Sequence, residues 1–214
     1  MKLFSADMCP YAHRSRLVLL EKKIEFDLIE IDLKKKPDFF LAISPYGKVP
    51  VLDDHGSIIF ESSIINEYID EKYKNLPLLP KDPYSKALAR IWIDYGNNNF
   101  NKAIYNLLFE QNKAKQQDLK LALENICTFI ENEAFGKISK GEYWIGDKVT
   151  LVDLTFYPFF ERICMVEAYR NFRIPEMCFK LKNWIEIMSK KSSVLSISHS
   201  KEFYLEKAKR YANI

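Results

Sequence analysis

Cys9-Pro10-Tyr11-Ala12-His13-Arg14-Ser15-Arg16 follows a short apolar run at Lys2 to Ser5 and opens an amphipathic stretch that ends near Lys22. Proline suits the first helical position, because its φ is already set and its missing N–H would have had no intrahelical partner. Pro10 therefore marks a helix start and puts Cys9 at or beside the N-cap, on a strand-to-helix turn. A thiol there faces unpaired backbone N–H groups and the positive end of the helix dipole, both of which favour the thiolate. Cysteines in such positions have pKa values of roughly 3.5 to 7.5, against about 8.5 for a free thiol. Arg14 and Arg16, within the next two turns, can add positive potential or point into solvent. The plain alternative is a small buried cysteine at a turn; the Cys-Pro pair favours a functional thiol.

Outward from this stretch the chain reads as a βαβ unit. Lys2 to Ser5 and Phe26 to Leu33 are apolar runs of strand length on either side of the helix. Leu33-Lys34-Lys35-Lys36-Pro37 closes the second strand, Asp38 to Ile43 forms one short helix, and Ser44-Pro45-Tyr46-Gly47 is a turn. Lys48-Val49-Pro50-Val51-Leu52 is a strand carrying a proline, which belongs at a strand start or edge. A cis Val-Pro bond and a trans one at an edge both satisfy the sequence here. Asp54-His55-Gly56 makes a hairpin turn into Ser57 to Phe60, and a helix follows, with Ser62 or Ser63 as its N-cap and Ile64, Ile65, Tyr68 and Ile69 among its apolar residues. The first-turn N–H groups of that helix can take a capping hydroxyl or a ligand carboxylate.

Lys74 to Pro83, with three prolines, breaks both periodicities and reads as a linker. The remainder is helical: Tyr84 to Asn112, Lys115 to Ile138, Pro175 to Ser189 and Val194 to Ala212 carry helix-like apolar spacing. Thr150-Leu151-Val152-Asp153 resembles a capping box with Asp in place of Glu, a folding role. The expected organisation is an α/β domain over residues 1–73, a linker over 74–83 and an all-α domain over 84–214.

A chain of 214 residues, 48% of them apolar, can bury a substantial core. Its charge of +3, from 32 basic and 29 acidic residues without long blocks of either sign, argues against a dedicated nucleic-acid binder. The N-terminus lacks a signal-peptide core and no run of apolar residues is long enough to span a bilayer, so a cytoplasmic protein is expected. Cys9, Cys127, Cys164 and Cys178 are widely spaced, as are His13, His55 and His199. Neither a disulfide framework nor a metal site follows from them, and a reducing compartment fits best. Cys127, Cys164 and Cys178 lie in apolar helical surroundings and read as core.

Taken together, the Cys-Pro-Tyr-Ala helix start, Leu-Lys-Lys-Lys-Pro at 33–37, Pro-Tyr-Gly-Lys-Val-Pro-Val-Leu at 45–52, Glu61-Ser62, Leu-Leu-Pro-Lys-Asp-Pro-Tyr at 78–84 and Pro-Phe-Phe-Glu-Arg at 158–162 resemble the cytosolic glutathione transferases, most closely the omega, cysteine-type class. The resemblance spans the chain. It implies a thioredoxin-like domain that binds glutathione, followed by a helical domain, with Cys9 as the catalytic thiol. It further implies that Val49, before a cis Pro50, pairs its backbone with the cysteinyl part of glutathione. Glu61 and Ser62 would hold the γ-glutamyl end and Lys36 the glycine carboxylate, while the helical domain would supply a pocket for a small electrophilic or disulfide substrate. Trp92, Tyr95, Phe100, Tyr105 and Tyr157 are possible pocket walls, although aromatics at helical spacing are mostly core.

The activity implied is that of a thioltransferase or dehydroascorbate reductase, monothiol because Ala12 stands where a dithiol motif has its second cysteine. A homodimer is implied as well. Two positions depart from the omega pattern: His13, where an acidic residue is usual, is expected to face solvent, and Lys48 replaces an apolar residue. The same fold also resembles the stringent starvation protein A family, regulators that bind RNA polymerase. The joint presence of Cys9, Lys36, Val49, Pro50, Glu61 and Ser62 weighs against that alternative, since a pure interaction module has no need of them together.

Overall fold

The computed structural model describes residues 1–212. Contacts divide the chain into two compact units, Met1–Leu79 and Pro80–Ile214.

The first unit is a four-stranded sheet with helices packed on it. Its elements run β1 (Lys2–Ser5), α1 (Pro10–Glu21), β2 (Asp27–Glu30), α2 (Asp38–Ile43), β3 (Val51–Asp54), β4 (Ser57–Phe60) and α3 (Ser62–Lys72), with strand order β2-β1-β3-β4. β1 and β2 are parallel, Leu3 opposite Leu28, as a helical crossover requires, while β3 runs antiparallel to β1 and to β4. Successive side chains along a strand point to opposite faces, so the register that pairs Leu3 with Leu52 and Phe4 with Val51 assigns one apolar pair to each face. Phe4, Ala12, Phe40, Val49 and Val51 share one buried cluster. β2 is shorter than the apolar run suggested and largely exposed, and β3 begins only after Pro50, whose missing N–H cannot join the ladder. The hairpin between β3 and β4 turns through His55 and Gly56, both at positive φ, the geometry that continues the twist of a two-residue turn.

A buried ionic joint closes this unit. The Lys22 ammonium, just past the end of α1, donates to Asp70 Oδ1 of α3 at 2.7 Å and to the carbonyls of Asn75 and Leu76 at 3.0 and 3.2 Å. Asp70 in turn accepts the backbone N–H groups of Leu78 and Leu79 at 2.8 and 3.1 Å. Two buried charges hold only when each is paired and hydrogen-bonded, a condition that this arrangement meets.

The second unit is all-helical: α4 (Pro83–Tyr95), α5 (Asn101–Phe109), α6 (Lys113–Phe129), α7 (Leu151–Glu161), α8 (Cys164–Arg170), α9 (Phe179–Ser189), α10 (Ser192–Leu195) and α11 (Lys201–Ala212). The apolar spacing predicted helices over Tyr84 to Asn112 and Lys115 to Ile138; both contain a π-helical stretch, Gly96–Phe100 between α4 and α5 and Ile130–Phe135 after α6. Gly96 is needed where it stands, because a Cβ there would sit 3.0 Å from the Phe156 ring of α7. The stretch from Pro175 begins its helix only at Phe179, and Val194 to Ala212 divides into α10 and α11.

The core of this unit gathers around Trp144, stacked on Phe156 with ring centroids 4.2 Å apart and edge-on to Trp184 at 5.3 Å. Asp153 ties the aromatics to α7: it accepts from the Trp144 backbone N–H, the Thr150 N–H and hydroxyl, and Trp184 Nε1, at 2.8–3.0 Å. Thr150 returns a bond from Val152 N–H, so the predicted capping box is present. Cys127, Cys164 and Cys178 are buried, and burial pushes the Cys164 thiol up to about 11 and the other two upward as well. Among the described residues no helix is long and apolar enough to cross a membrane. With a mixed four-stranded sheet carrying α1 and α3, followed by helices alone, the architecture is a thioredoxin-like domain joined to a helical one.

Candidate active site

Cys9 is the N-cap of α1. Its backbone is extended, its carbonyl accepts the His13 N–H at 2.9 Å, and its own N–H is held by Ala6 at 2.8 Å. No side chain caps this helix start, and Pro10 removes one of the donors that would need a cap. The thiol is half-buried and donates to the Val49 carbonyl at 3.8 Å.

Val49 is held in place by the turn before it. Gly47, at φ 58°, lets its N–H reach the Ser44 carbonyl at 2.9 Å, a conformation that costs a non-glycine residue more. The Ser44 hydroxyl then donates to the Lys48 carbonyl at 2.9 Å and accepts the Lys48 N–H at 3.0 Å. The Val49–Pro50 peptide is cis, which decides between the two geometries that the sequence left open. Lys48 itself is exposed. Lys36, also exposed, reaches this turn, its Nζ 3.5 Å from where a Cβ on Gly47 would stand.

Glu61 and Ser62 lie at the start of α3, where the structure corrects the expected N-cap. Neither Ser62 nor Ser63 caps the helix: Glu61 is the N-cap, at φ 68°, and Ser62 is already the first helical residue. The left-handed turn at Glu61 swings the chain directly from β4 into α3, leaving no room for a serine outside the helix. No side chain caps the first turn of α3, whose Glu61 carbonyl takes the Ile65 N–H at 2.9 Å. Glu61 is exposed and Ser62 is 5% exposed.

His13 is likewise corrected. It is fully buried, not solvent-facing, because α1 is covered on most of its circumference: nine of its residues are buried. Periodicity misses this, since a polar residue in such a helix carries no apolar signal. The same burial takes in Arg14, which sequence reading left between thiol and solvent. Arg14 is fully buried, donates to Ser63 Oγ at 3.3 Å, and lays its guanidinium over the Tyr11 ring at 4.9 Å. An arginine followed, across about fifty residues, by a serine at another helix start leaves no local signature.

Thus Cys9 and Val49 are in contact, Lys36 stands at the turn leading to Val49, and Glu61 and Ser62 form a second helix start joined to α1 through Arg14 and Ser63. Of the aromatics considered as pocket walls, Trp92, Phe100 and Tyr157 are buried in the helical core, while Tyr95 and Tyr105 are half-buried.

A half-buried cysteine at a helix start, set against the backbone before a cis-proline, defines a thioredoxin-like protein with a single candidate thiol at its site. The family "Glutathione S-transferase, N-terminal domain" matches residues 3–77. Omega-1 glutathione S-transferase from pig (Sus scrofa) is 33% identical over 92% of this chain and 80% of its own. Among solved structures, glutathione transferase Omega 3C from Trametes versicolor superposes with a TM-score of 0.88 at 26% identity, covering 99% of this chain and 90% of its own. A Tau-class glutathione S-transferase from mango (Mangifera indica) gives 0.91 at 27% identity, covering 98% and 97%. The chain belongs to the glutathione transferase family.

Proposed function

We propose that the protein is an omega-like, cysteine-type glutathione transferase acting as a glutathione-dependent thioltransferase or dehydroascorbate reductase. The observation that carries this reading is the Cys9 thiol at the α1 start, 3.8 Å from the carbonyl of the residue before the cis-proline. Similarity alone reaches both Omega and Tau proteins, so the class rests on Cys9 itself: a transferase using Tyr or Ser activates bound glutathione by hydrogen bonding, whereas a cysteine forms a covalent bond with it.

The residues suit the tripeptide. Glutathione has two carboxylates, an ammonium and a peptide middle, and needs a strand-like partner for the middle and cationic or helix-start contacts at the ends. Val49 offers strand-like backbone beside Pro50, Lys36 a cation for the glycine carboxylate, Ser62 and the uncapped first turn of α3 donors for the γ-glutamyl carboxylate, and Glu61 an anion for the ammonium. Residues 1–73 would carry this site and residues 84–214 the second substrate, with 74–83 between them.

In the cycle, the Cys9 thiolate attacks the glutathionyl sulfur of a mixed disulfide. The new bond is Cys9–S–S–glutathione, the old S–S bond breaks, and the departing thiolate takes a proton from water. A second glutathione thiolate then attacks the bound glutathione's sulfur, releasing oxidised glutathione and restoring the Cys9 thiolate. With dehydroascorbate, two glutathiones supply two electrons and yield ascorbate and oxidised glutathione. The protein would work in the cytoplasm as a homodimer, without metal, nucleic acid or membrane.

Intact mass after mixing with oxidised glutathione tests the reading, comparing wild type with Cys9→Ser. One glutathione adduct on wild type, absent from the variant, is expected. Its absence from wild-type protein with Cys9 reduced beforehand would overturn the proposal and favour a partner-binding role for the same fold.

A further inference from the structure

Position and contact pull the Cys9 thiol in opposite directions. At the N-cap of α1 the sulfur faces helix-start donors, which favour the thiolate. Yet Cys9 Sγ–H donates to the Val49 carbonyl at 3.8 Å, a bond that only the neutral thiol can make, and a hydrogen bond made by the neutral form opposes ionisation. The carbonyl is well placed to do this. Val49 is 8% exposed and stands between Lys48, whose two backbone groups are both bonded to the Ser44 hydroxyl, and the start of β3 at Val51. An extended peptide pairing with Val49 would use the same carbonyl as its acceptor.

We infer that the Val49 carbonyl is a proton latch: it keeps Cys9 protonated until the backbone of a bound glutathionyl group takes the carbonyl over, and the thiolate then forms beside its target sulfur. A backbone N–H is a stronger donor than a thiol, so the incoming peptide wins the carbonyl. The S–H bond then ionises, and its proton passes to water, which reaches the half-buried sulfur. Thiol–disulfide exchange follows as described above. Without substrate the thiol stays less reactive towards oxidants, since reactivity follows the thiolate. The latch rests on the proposed pairing of glutathione with Val49.

The titratable groups on the surrounding segments are Tyr11, His13 and Arg14 on α1, Asp7 before it, Lys36 and Lys48 at the turn leading to Val49, and Glu61 at the start of α3. All are present with and without substrate. Glutathione adds two carboxylates and one ammonium, and this net negative charge would by itself make Cys9 harder to ionise. The latch requires the opposite sign.

The test uses γ-glutamyl-alanyl-glycine, which has the backbone and charges of glutathione and no sulfur. Ionisation of Cys9 is followed by thiolate absorbance, wild type minus Cys9→Ser, and in the unliganded protein also by the pH profile of Cys9 alkylation with iodoacetamide. Cys127, Cys164 and Cys178 are buried and their thiols are shifted upward, so they stay silent over the range used. Saturating peptide is expected to lower the Cys9 midpoint by about one pH unit. By linkage, the peptide should bind about tenfold more tightly above the midpoints than well below them. The same peptide methylated on the alanine nitrogen lacks the competing N–H and is expected, when bound, to leave the midpoint in place or raise it. A midpoint that stays or rises with the unmethylated peptide bound overturns the latch, as does an equal fall with the methylated one. If the methylated peptide fails to bind, the first arm decides alone. Calorimetry separates the two readings: no binding of the unmethylated peptide at any pH overturns the glutathione site and the latch together, whereas binding without a fall removes the latch and leaves the site standing.

Discussion

Four helix starts in the helical unit are satisfied differently from the two at the candidate site, although α8 and α10 of the helical unit also begin without a side-chain cap. In the helical unit, α4 begins under Asp82, α6 under Asn112, and α7 under the reciprocal Thr150–Asp153 box. Even α9, whose N-cap Cys178 offers nothing, is served by Glu131, which arrives from the preceding π-helical stretch and accepts the N–H groups of Lys180 and Leu181 at 3.2 and 2.8 Å. In the sheet unit, α1 and α3 begin without any side-chain cap. Donors at a helix start are satisfied by side chain, water or ligand. At these four starts a side-chain oxygen takes the donors; where chemistry is proposed they are left for a substrate. Glu131 on α9 is thus an internal version of what the γ-glutamyl carboxylate would do on α3.

The contrast can be broken most severely at Asp153. Replacing it with Ala strands at least three buried donors at once, and we expect a loss of about 3–5 kcal/mol in urea unfolding; a loss below about 1 kcal/mol would mean that the Trp144 and Trp184 bonds are replaceable. Glu131→Ala removes one outside cap and should cost about 1–2 kcal/mol, without altering Cys9 alkylation. Equal damage to both properties would contradict the separation drawn between the units. Mildest for the fold is Ser62→Ala. Its stability should stay within about 0.5 kcal/mol of wild type, because the hydroxyl caps nothing, while the KM for glutathione should rise about three- to tenfold. The comparison would fail at α3 if this variant lost stability and kept its KM.

Much of the sheet unit was legible from the sequence because its signals are local. β1, α2 and β4 have the bounds that apolar runs and turn residues indicated, and Cys-Pro marked the α1 start. What stayed hidden was set by tertiary contact. The left-handed backbone at Glu61 moves the α3 cap off the two serines, and burial encloses His13 and Arg14 on a helix whose polar residues suggested a wet face. In the helical unit the capping box was readable within four residues, but its tie to Trp184, 31 residues on, was not. Nor were the π-helical stretches, since the apolar spacing passes through them without a break.

The joint at Lys22 and Asp70 bears on how the chain meets a protease. Residues 74–79 carry no helix or strand and sit among prolines, so they look like a cleavage site. Yet their carbonyls at Asn75 and Leu76 and their N–H groups at Leu78 and Leu79 are fastened to a buried ion pair. A peptidase must have that segment extended in its cleft. The nick therefore waits for the ion pair to open, and the survival time of this stretch becomes a clock for how often the sheet unit loosens, not for how exposed the segment looks.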